Sequence, residues 1–348
     1  MNTVKVSLIC WLCEKPHVVD VKTEKVDAAK KTRPTCPACA IEIQKKNEAS
    51  WLKHITNKYR LTHYHLDPTL AENTVASWCG FRKSPNRSAR KAQYPVQAQP
   101  HYTVHHAIAH NAIGWNENNE LMFLFLKNQV PQHIQGKALV GLQALNFWSC
   151  DESERPELKG AVAFNGPNAL VGAEELNMGF GEMLRIFKFK ETEPQFESYQ
   201  KLFDLLDEMT SIYARTLPRH FRMQNSKAAN PKAIPNQFRQ GLSVFSSVAL
   251  LKSAPAAVHK DSKNGSMFAC MTTLATDDTY TGGTFCFVKY GVTIAVRPGD
   301  ILIATTPRDW HANLTAVQGL KYSVVAYYKQ TLSSAKMQQD YIGSKHVE

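Results

Sequence analysis

The sequence predicts an α+β protein: a β-rich sandwich or barrel, of which the jelly roll is one form, with helices packed on it and a small metal-bound unit at the N-terminus. Three observations predict this. The last hundred or so residues are short β-rich runs (SVFSSVALL, SMFACMTTL, GGTFCFV, VTIAVRPGDILIAT, KYSVVAYY) punctuated by Gly282-Gly283 and Pro298-Gly299-Asp300. Residues 196–215 repeat apolar side chains at threes and fours, through Phe196, Tyr199, Leu202, Leu206, Met209 and Tyr213, as a helix lying on a sheet would. The first forty residues hold two CxxC pairs in too little chain to build a core of their own.

Composition bounds the alternatives. With 348 residues, 43% hydrophobic and 20% charged, the chain has enough apolar material for a core and is not a disordered chain; one large unit with a smaller attachment is expected. A formal charge of +11 suggests a polyanionic partner. No run reaches the roughly eighteen apolar residues of a membrane span, and the start MNTVKVSLIC is too short for a secretory signal, so an intracellular protein without a membrane partner is expected, nucleus and cytoplasm undistinguished. Cys79, Cys150, Cys270 and Cys286 are scattered, which suggests a reducing compartment.

In chain order, Cys10-Trp-Leu-Cys13 and Cys36-Pro-Ala-Cys39 are separated by twenty-two polar and basic residues. Four thiolates at this spacing suit one tetrahedral structural Zn²⁺, so Cys10, Cys13, Cys36 and Cys39 are read as a zinc ribbon over residues 1–48; the competing redox reading lacks the βαβ context it requires. Residues 49–100 are read as a helix and a basic linker. Asn73 to Asn116 contains no acid, while Arg82, Lys83, Arg87, Arg90 and Lys91 cluster there, as a solvated loop or a phosphate-tracking arm. Residues 101–348 are assigned to the main domain. His105, His106 and His110 invite a metal or nuclease reading, but no partners stand at convincing spacing, and histidines of a strand pair suit them better. Met209 to Lys260 is a second acid-free stretch, carrying Arg215, Arg219, Arg222, Lys227, Lys232, Arg239 and Lys252.

The chemistry is expected among the late strands. On a strand, His259 and Asp261 share one face while Lys260 faces the other way. With His311 from another strand they make a two-histidine, one-carboxylate set, which leaves coordination positions for a cosubstrate and O₂ at Fe(II). On the final strand Lys321, Ser323, Val325, Tyr327 and Lys329 alternate with Tyr322, Val324, Ala326 and Tyr328. Alternation alone leaves two readings of the cationic face: it lines a site, or it faces solvent.

The stretch His259-Lys-Asp261-Ser-Lys-Asn264, the Gly282-Gly283-Thr-Phe turn, Arg297-Pro-Gly-Asp300, His311 and the Lys321-x-Ser323 strand together resemble the TET/JBP family of Fe(II)- and 2-oxoglutarate-dependent nucleic-acid base dioxygenases. The resemblance covers about residues 240 to 330. It implies a double-stranded β-helix (jelly-roll, cupin-like) core and an enzyme that oxidises the methyl group of 5-methylcytosine in DNA to 5-hydroxymethylcytosine and further. It implies His259, Asp261 and His311 as the catalytic iron ligands, and Lys321 and Ser323 on the distal carboxylate of 2-oxoglutarate. Asn264, Tyr327 and Lys329 would stand against the base. Two positions depart from the family: Lys321 replaces the Arg of animal members and lacks its bidentate fork, and Lys329 replaces a base-contacting His.

These departures keep ascorbate in place of 2-oxoglutarate, and thymine in place of 5-methylcytosine, among the implied alternatives. The expected partner is double-stranded DNA with the target base flipped out, RNA being the other polymer. Two readings of other classes compete: an oxygenase acting on protein or a small molecule, and a zinc-ribbon DNA-binding or nuclease module without oxygenase activity.

Overall fold

A computed structural model describes residues 3–9, 15–22, 37–78, 103–145, 168–177, 182–186, 193–228, 243–253, 256–261, 268–276, 279–314 and 319–328. The chain divides into two compact units, Met1–Arg60 and Leu61–Glu348. In the first, β1 (Thr3–Ile9) and β2 (Pro16–Lys22) pair antiparallel from Thr3↔Lys22 to Ile9↔Pro16, and α1 (Pro37–Tyr59) follows. Cys10 and Cys13 fall in sequence between the paired strands and, with Cys36, lie outside the described residues; Cys39 stands in the first turn of α1. The span expected as helix and linker is divided between the units, because from Leu61 onward the backbone is hydrogen-bonded into the second.

The second unit holds two sheets. The larger contains β3 (Thr62–His65), β5 (Ala112–Trp115), β6 (Leu121–Leu126), β7 (Asn168–Asn177), β8 (Glu182–Ile186), β9 (Ser247–Lys252), β11 (Ala269–Ala275), β14 (Ile301–Ala304) and β16 (Lys321–Tyr327), in the order β3-β5-β6-β14-β11-β16-β9-β7-β8. The smaller contains β4 (His106–Ile108), β10 (Ala256–His259), β12 (Thr284–Phe287), β13 (Val292–Ile294) and β15 (His311–Leu314), in the order β10-β15-β12-β13-β4. From β9 onward the chain crosses repeatedly between the sheets, and all pairings among these later strands are antiparallel. This is a mixed α+β fold of two sheets with packing helices.

Alternation places one face of each sheet in a shared core. Ala269 and Met271 of β11, Leu302 and Ala304 of β14, and Phe123 and Phe125 of β6 meet Phe285 and Phe287 of β12 with Val292 and Ile294 of β13. Val325 and Tyr327 of β16 pack against the same cluster. The other face of the large sheet is also covered: Tyr213 lies with its ring 6.1 Å from that of Phe245 and 6.4 Å from that of Phe268. Every residue of LMFLFL in β6 is buried, as a run lacking polar alternation requires.

The expected helix over 196–215 is two helices, α4 (Glu193–Gln200) and α5 (Phe203–Thr216), separated by a tight turn in which Leu202 N–H reaches Tyr199 O. The turn fits a close approach to α3 (Gln132–Ala144), where a Cβ on Gly141 would stand 2.4 Å from Ser198 O. Then α6 (Pro218–Ala228) follows, with the His220 ring 4.9 Å from that of Phe268. On the small sheet's outer face, α2 (Glu72–Trp78) places Val75 among Val258, Cys286, Val288 and Ala312.

Candidate metal centre

Strand pairing builds the site. His259 ends β10, His311 begins β15, and the two are direct partners in the antiparallel register. Two residues beyond His259, Asp261 donates its backbone N–H to Thr306 O at 3.1 Å, which ties the chain after β10 to the segment leading into β15. Asp261 Oδ1 is 3.5 Å from His259 Nε2, and Oδ2 is 3.6 Å from His311 Nε2. The ligand atoms of all three residues lie within 4.8 Å of one another, and this is the one such group of three or more histidine, cysteine or acidic side chains among the described residues.

The electrostatics select a cation. His311 Nδ1–H donates to Asp309 O at 3.0 Å, fixing the tautomer whose bare Nε2 faces Asp261. Burial, and next the neighbouring His259, push the His311 imidazolium down to about 4, so at neutral pH the ring is uncharged. Burial works to raise Asp261, but the His259 hydrogen bond and the positive charge that the two rings carry when protonated outweigh it and hold the carboxyl at about 2. A carboxylate oxygen facing an imidazole lone pair is two acceptors in opposition, an arrangement a metal ion resolves. Two imidazole side chains and one carboxylate fit Fe(II) and leave other coordination positions to non-protein ligands.

Along β16 the Lys321–Val324 end is buried on both faces, while Val325 and Tyr327 are half-buried, so the reading in which the cationic face is turned to solvent does not hold. Tyr322, Val324, Ala326 and Tyr328 lie in the core, and on the opposite face Lys321 is 4% and Ser323 9% exposed. Lys321 Nζ donates to Gly283 O at 2.9 Å; Gly283 has φ +64°, a turn conformation that costs glycine little. The same ammonium stands 5.5 Å from the Tyr280 ring centre, and the Arg297 guanidinium stands 4.9 Å from it while donating to Tyr280 O. Burial, then Arg297, push Lys321 down to about 8. Among the described residues no carboxylate meets this buried ammonium.

Register orders these groups along the strands. Tyr327 pairs with Ser247, and Cys270 with Ala326, at the end of the sheet where Ala304 runs into Thr305 and Thr306 beside Asp261. Lys321 stands at the other end, reaching Gly283 next to Thr284, three residues along β12 from the partner of His311. That separation is about 10 Å along the strand.

Asn264 and Lys329, and the linker cations from Arg82 to Lys91, lie outside the described residues. His106 lies in β4, and His110 Nε2 is 3.1 Å from the Tyr64 hydroxyl; neither joins a metal cluster among the described residues. Sequence reasoning did not single out Tyr280, or Arg297 as an individual charge, because no spacing rule links residues 280, 297 and 321. It also passed over Glu72, whose carboxylate meets both Lys260 and Trp310.

Residues 172–330 match the family model for the oxygenase domain of the 2OGFeDO superfamily, Tet_JBP, a match spanning under half of the chain. No curated protein matches the sequence. Similar solved structures include NgTET1 in complex with 5mC DNA (10% identity, 78% of this chain and 98% of that chain, TM-score 0.49). A 2OG-Fe(II) family oxidoreductase from Burkholderia pseudomallei gives 12% identity, 60% and 84% coverage and a TM-score of 0.39. A prolyl hydroxylase of Trichoplax adhaerens, solved with a hypoxia-inducible-factor peptide, gives 10%, 61% and 86%, and 0.35. The triad geometry and the family match together describe an oxygenase-type site of the 2OG-Fe(II) superfamily.

Proposed function

We propose that this protein is an Fe(II)- and 2-oxoglutarate-dependent dioxygenase that oxidises the methyl group of 5-methylcytosine in DNA. The observation that carries the reading is the metal-poised triad His259, Asp261 and His311, with a buried ammonium that meets no carboxylate among the described residues about 10 Å along the strands. The strand orders β9-β16-β11-β14 and β10-β15-β12-β13 support a double-stranded β-helix as the frame. The methyl-base substrate is supported by the family match.

In this reading His311 and His259 would each present a ring nitrogen and Asp261 a carboxylate to iron, and the His311–Asp309 bond keeps one ring from rotating. Lys321 Nζ and Ser323 hold the distal carboxylate of a five-carbon diacid, with Arg297 adding positive potential behind the Tyr280 ring. When bound, Fe(II) with 2-oxoglutarate and O₂ supplies the oxidant that hydroxylates the methyl carbon, and 2-oxoglutarate leaves as succinate and CO₂. Tyr327, on the inner face at the triad end of β16, packs beside the entering base, with Asn264 and Lys329 on its polar edge. A duplex base reaches this depth only when flipped out, at a cost of roughly a few kcal/mol that contacts to the phosphates offset. Cys10, Cys13, Cys36 and Cys39 hold one structural Zn²⁺ in the N-terminal unit.

Nucleoside mass spectrometry tests this directly. Purified protein with Fe(II), methylated duplex DNA and either 2-oxoglutarate or ascorbate is expected to yield 5-hydroxymethylcytosine with 2-oxoglutarate, and none from the His259→Ala, Asp261→Ala double variant. Ascorbate-dependent product would assign the other cosubstrate, oxidised thymine the other base. Tight DNA binding with no oxidised base under any condition overturns the reading.

A further inference from the structure

We propose that Glu72 is a positioning residue that holds the two iron-ligand segments in register from the outer face of the small sheet. The proposal rests on the iron site proposed above. Glu72 Oε1 accepts from Lys260 Nζ and from Trp310 Nε1, each at 2.6 Å. Lys260 lies between His259 and Asp261, and Trp310 immediately precedes His311. One carboxylate, 188 residues from Lys260 and 238 from Trp310 in the chain, is therefore bonded to an immediate neighbour of every triad member. The Lys260 ammonium also stands 4.7 Å from the Trp310 ring centre, closing a three-sided contact.

Strand alternation explains why the brace is external. With His259 and His311 turned to the metal, Val258 and Lys260 on one segment, and Trp310 and Ala312 on the other, are turned away from it. Helix α2 meets this outer surface. Val75 is fully buried with Val258 and Ala312, and Leu70 and Trp310 pack against the same cluster. The backbone is fixed separately, since Thr69 N and Leu70 N both donate to Lys289 O, and Val288 N donates to Trp310 O. Glu72 is thus delivered to its partners by apolar packing and main-chain bonds that do not need its charge.

That separation distinguishes positioning from stability. The Glu72 side chain is 52% exposed and that of Lys260 28%, so as an ion pair it adds little to folding. Its leverage is geometric: the triad's ligand atoms come from a segment end and a strand start joined by only two register pairs, Ala256↔Asn313 and His259↔His311, with an irregularity between them, and by the Asp261–Thr306 main-chain bond. Partners bonded directly to metal ligands are worth about 10–100-fold in metal affinity, which sets the scale for a brace on their immediate neighbours.

The test is titration of the full chain, its cysteine site first filled with Zn²⁺, with Co(II) under anaerobic conditions, followed by the ligand-field spectrum and by equilibrium dialysis, with thermal unfolding of the same protein without Co(II) in parallel. Glu72→Ala is expected to weaken Co(II) binding by about 10–100-fold and to broaden or shift the ligand-field bands, while the Co(II)-free Tm moves by less than about 4 °C. Lys260→Met is expected to do likewise, and the double variant to be no weaker than the worse single one, since both break the same bridge. Unchanged Co(II) affinity in Glu72→Ala overturns the proposal, as does a loss that a matching fall in Co(II)-free Tm accounts for. Should Glu72→Ala fail to fold, Lys260→Met decides on the same two readouts. Wild-type protein that binds no Co(II) would instead sink the iron site itself.

Discussion

His311 offers a metal its Nε2 lone pair only while Nδ1 keeps the proton, and the Asp309 carbonyl at 3.0 Å secures that tautomer. Asp309 is held in turn by the Thr305 hydroxyl, which donates to its buried carboxylate at 2.6 Å. Asp261 is the triad's one anion, so Asp261→Ala should cost more metal affinity than the 10–100-fold typical of residues that only orient a ligand, measured by anaerobic dialysis against Mn(II). Lys321 gives a pH signature. Its ammonium titrates near 8 without a ligand, so 2-oxoglutarate affinity should be flat below pH 8 and fall by about tenfold per unit above it, until the pKa of the complex is reached. The stability contribution has the opposite sign. Between pH 8 and the unfolded value of 10.5 the unfolded chain binds more protons at this group, so the ligand-free fold gains stability as pH rises. Lys321→Met should raise the KM for 2-oxoglutarate by about 10–150-fold and abolish the pH break above 8, as steady-state kinetics would show. A break that persists in Lys321→Met belongs to another group.

Helix α6 and helix α3 carry expectations of their own. α6 lies in the acid-free stretch and presents Arg219 and Arg222 at the surface, and its His220 ring abuts Phe268 at the triad end of the large sheet. If this helix tracks phosphate, Arg219→Gln with Arg222→Gln should flatten the slope of log affinity for duplex DNA against log salt by about 0.9 for each phosphate no longer neutralised. An unchanged slope would make α6 a solvated face. In α3, Gly141 is a close-packing position: Gly141→Val places carbon against Ser198 O and should cost roughly 1–3 kcal/mol in denaturant unfolding, with little effect on metal binding. The break between α4 and α5 was not legible in the sequence, because the apolar spacing runs unbroken through Leu202; the turn answers to packing against α3, a partner periodicity does not reveal.

For the molecule as a whole, the two units should respond to different metals. Mn(II) at one hundred times its Kd is expected to stabilise the unit from Leu61 by about 2.7 kcal/mol, read as a rise in its thermal midpoint. If the four cysteines hold zinc, elemental analysis of the purified chain should find about one Zn²⁺ that Cys36→Ser with Cys39→Ser removes. No helix among the described residues is long and apolar enough to cross a membrane.

The sequence by itself determined the chemistry available: HxD and a distal histidine among β-runs give a metal-binding donor set, because strand alternation is a local rule that puts His259 and Asp261 on one face. It determined the candidate cationic face of β16 as well, but not where that face pointed, since a buried strand alternates in the same way whether one side or both are covered. Only the tertiary structure decided that Lys321 is buried beside Arg297 and Tyr280, and that Glu72 grips Lys260 and Trp310. These groups come from segments with no fixed spacing, and they meet only after strands from two sheets have paired. Burial, and with it the charge each group carries, is a property of that assembled surface and of no window of the chain.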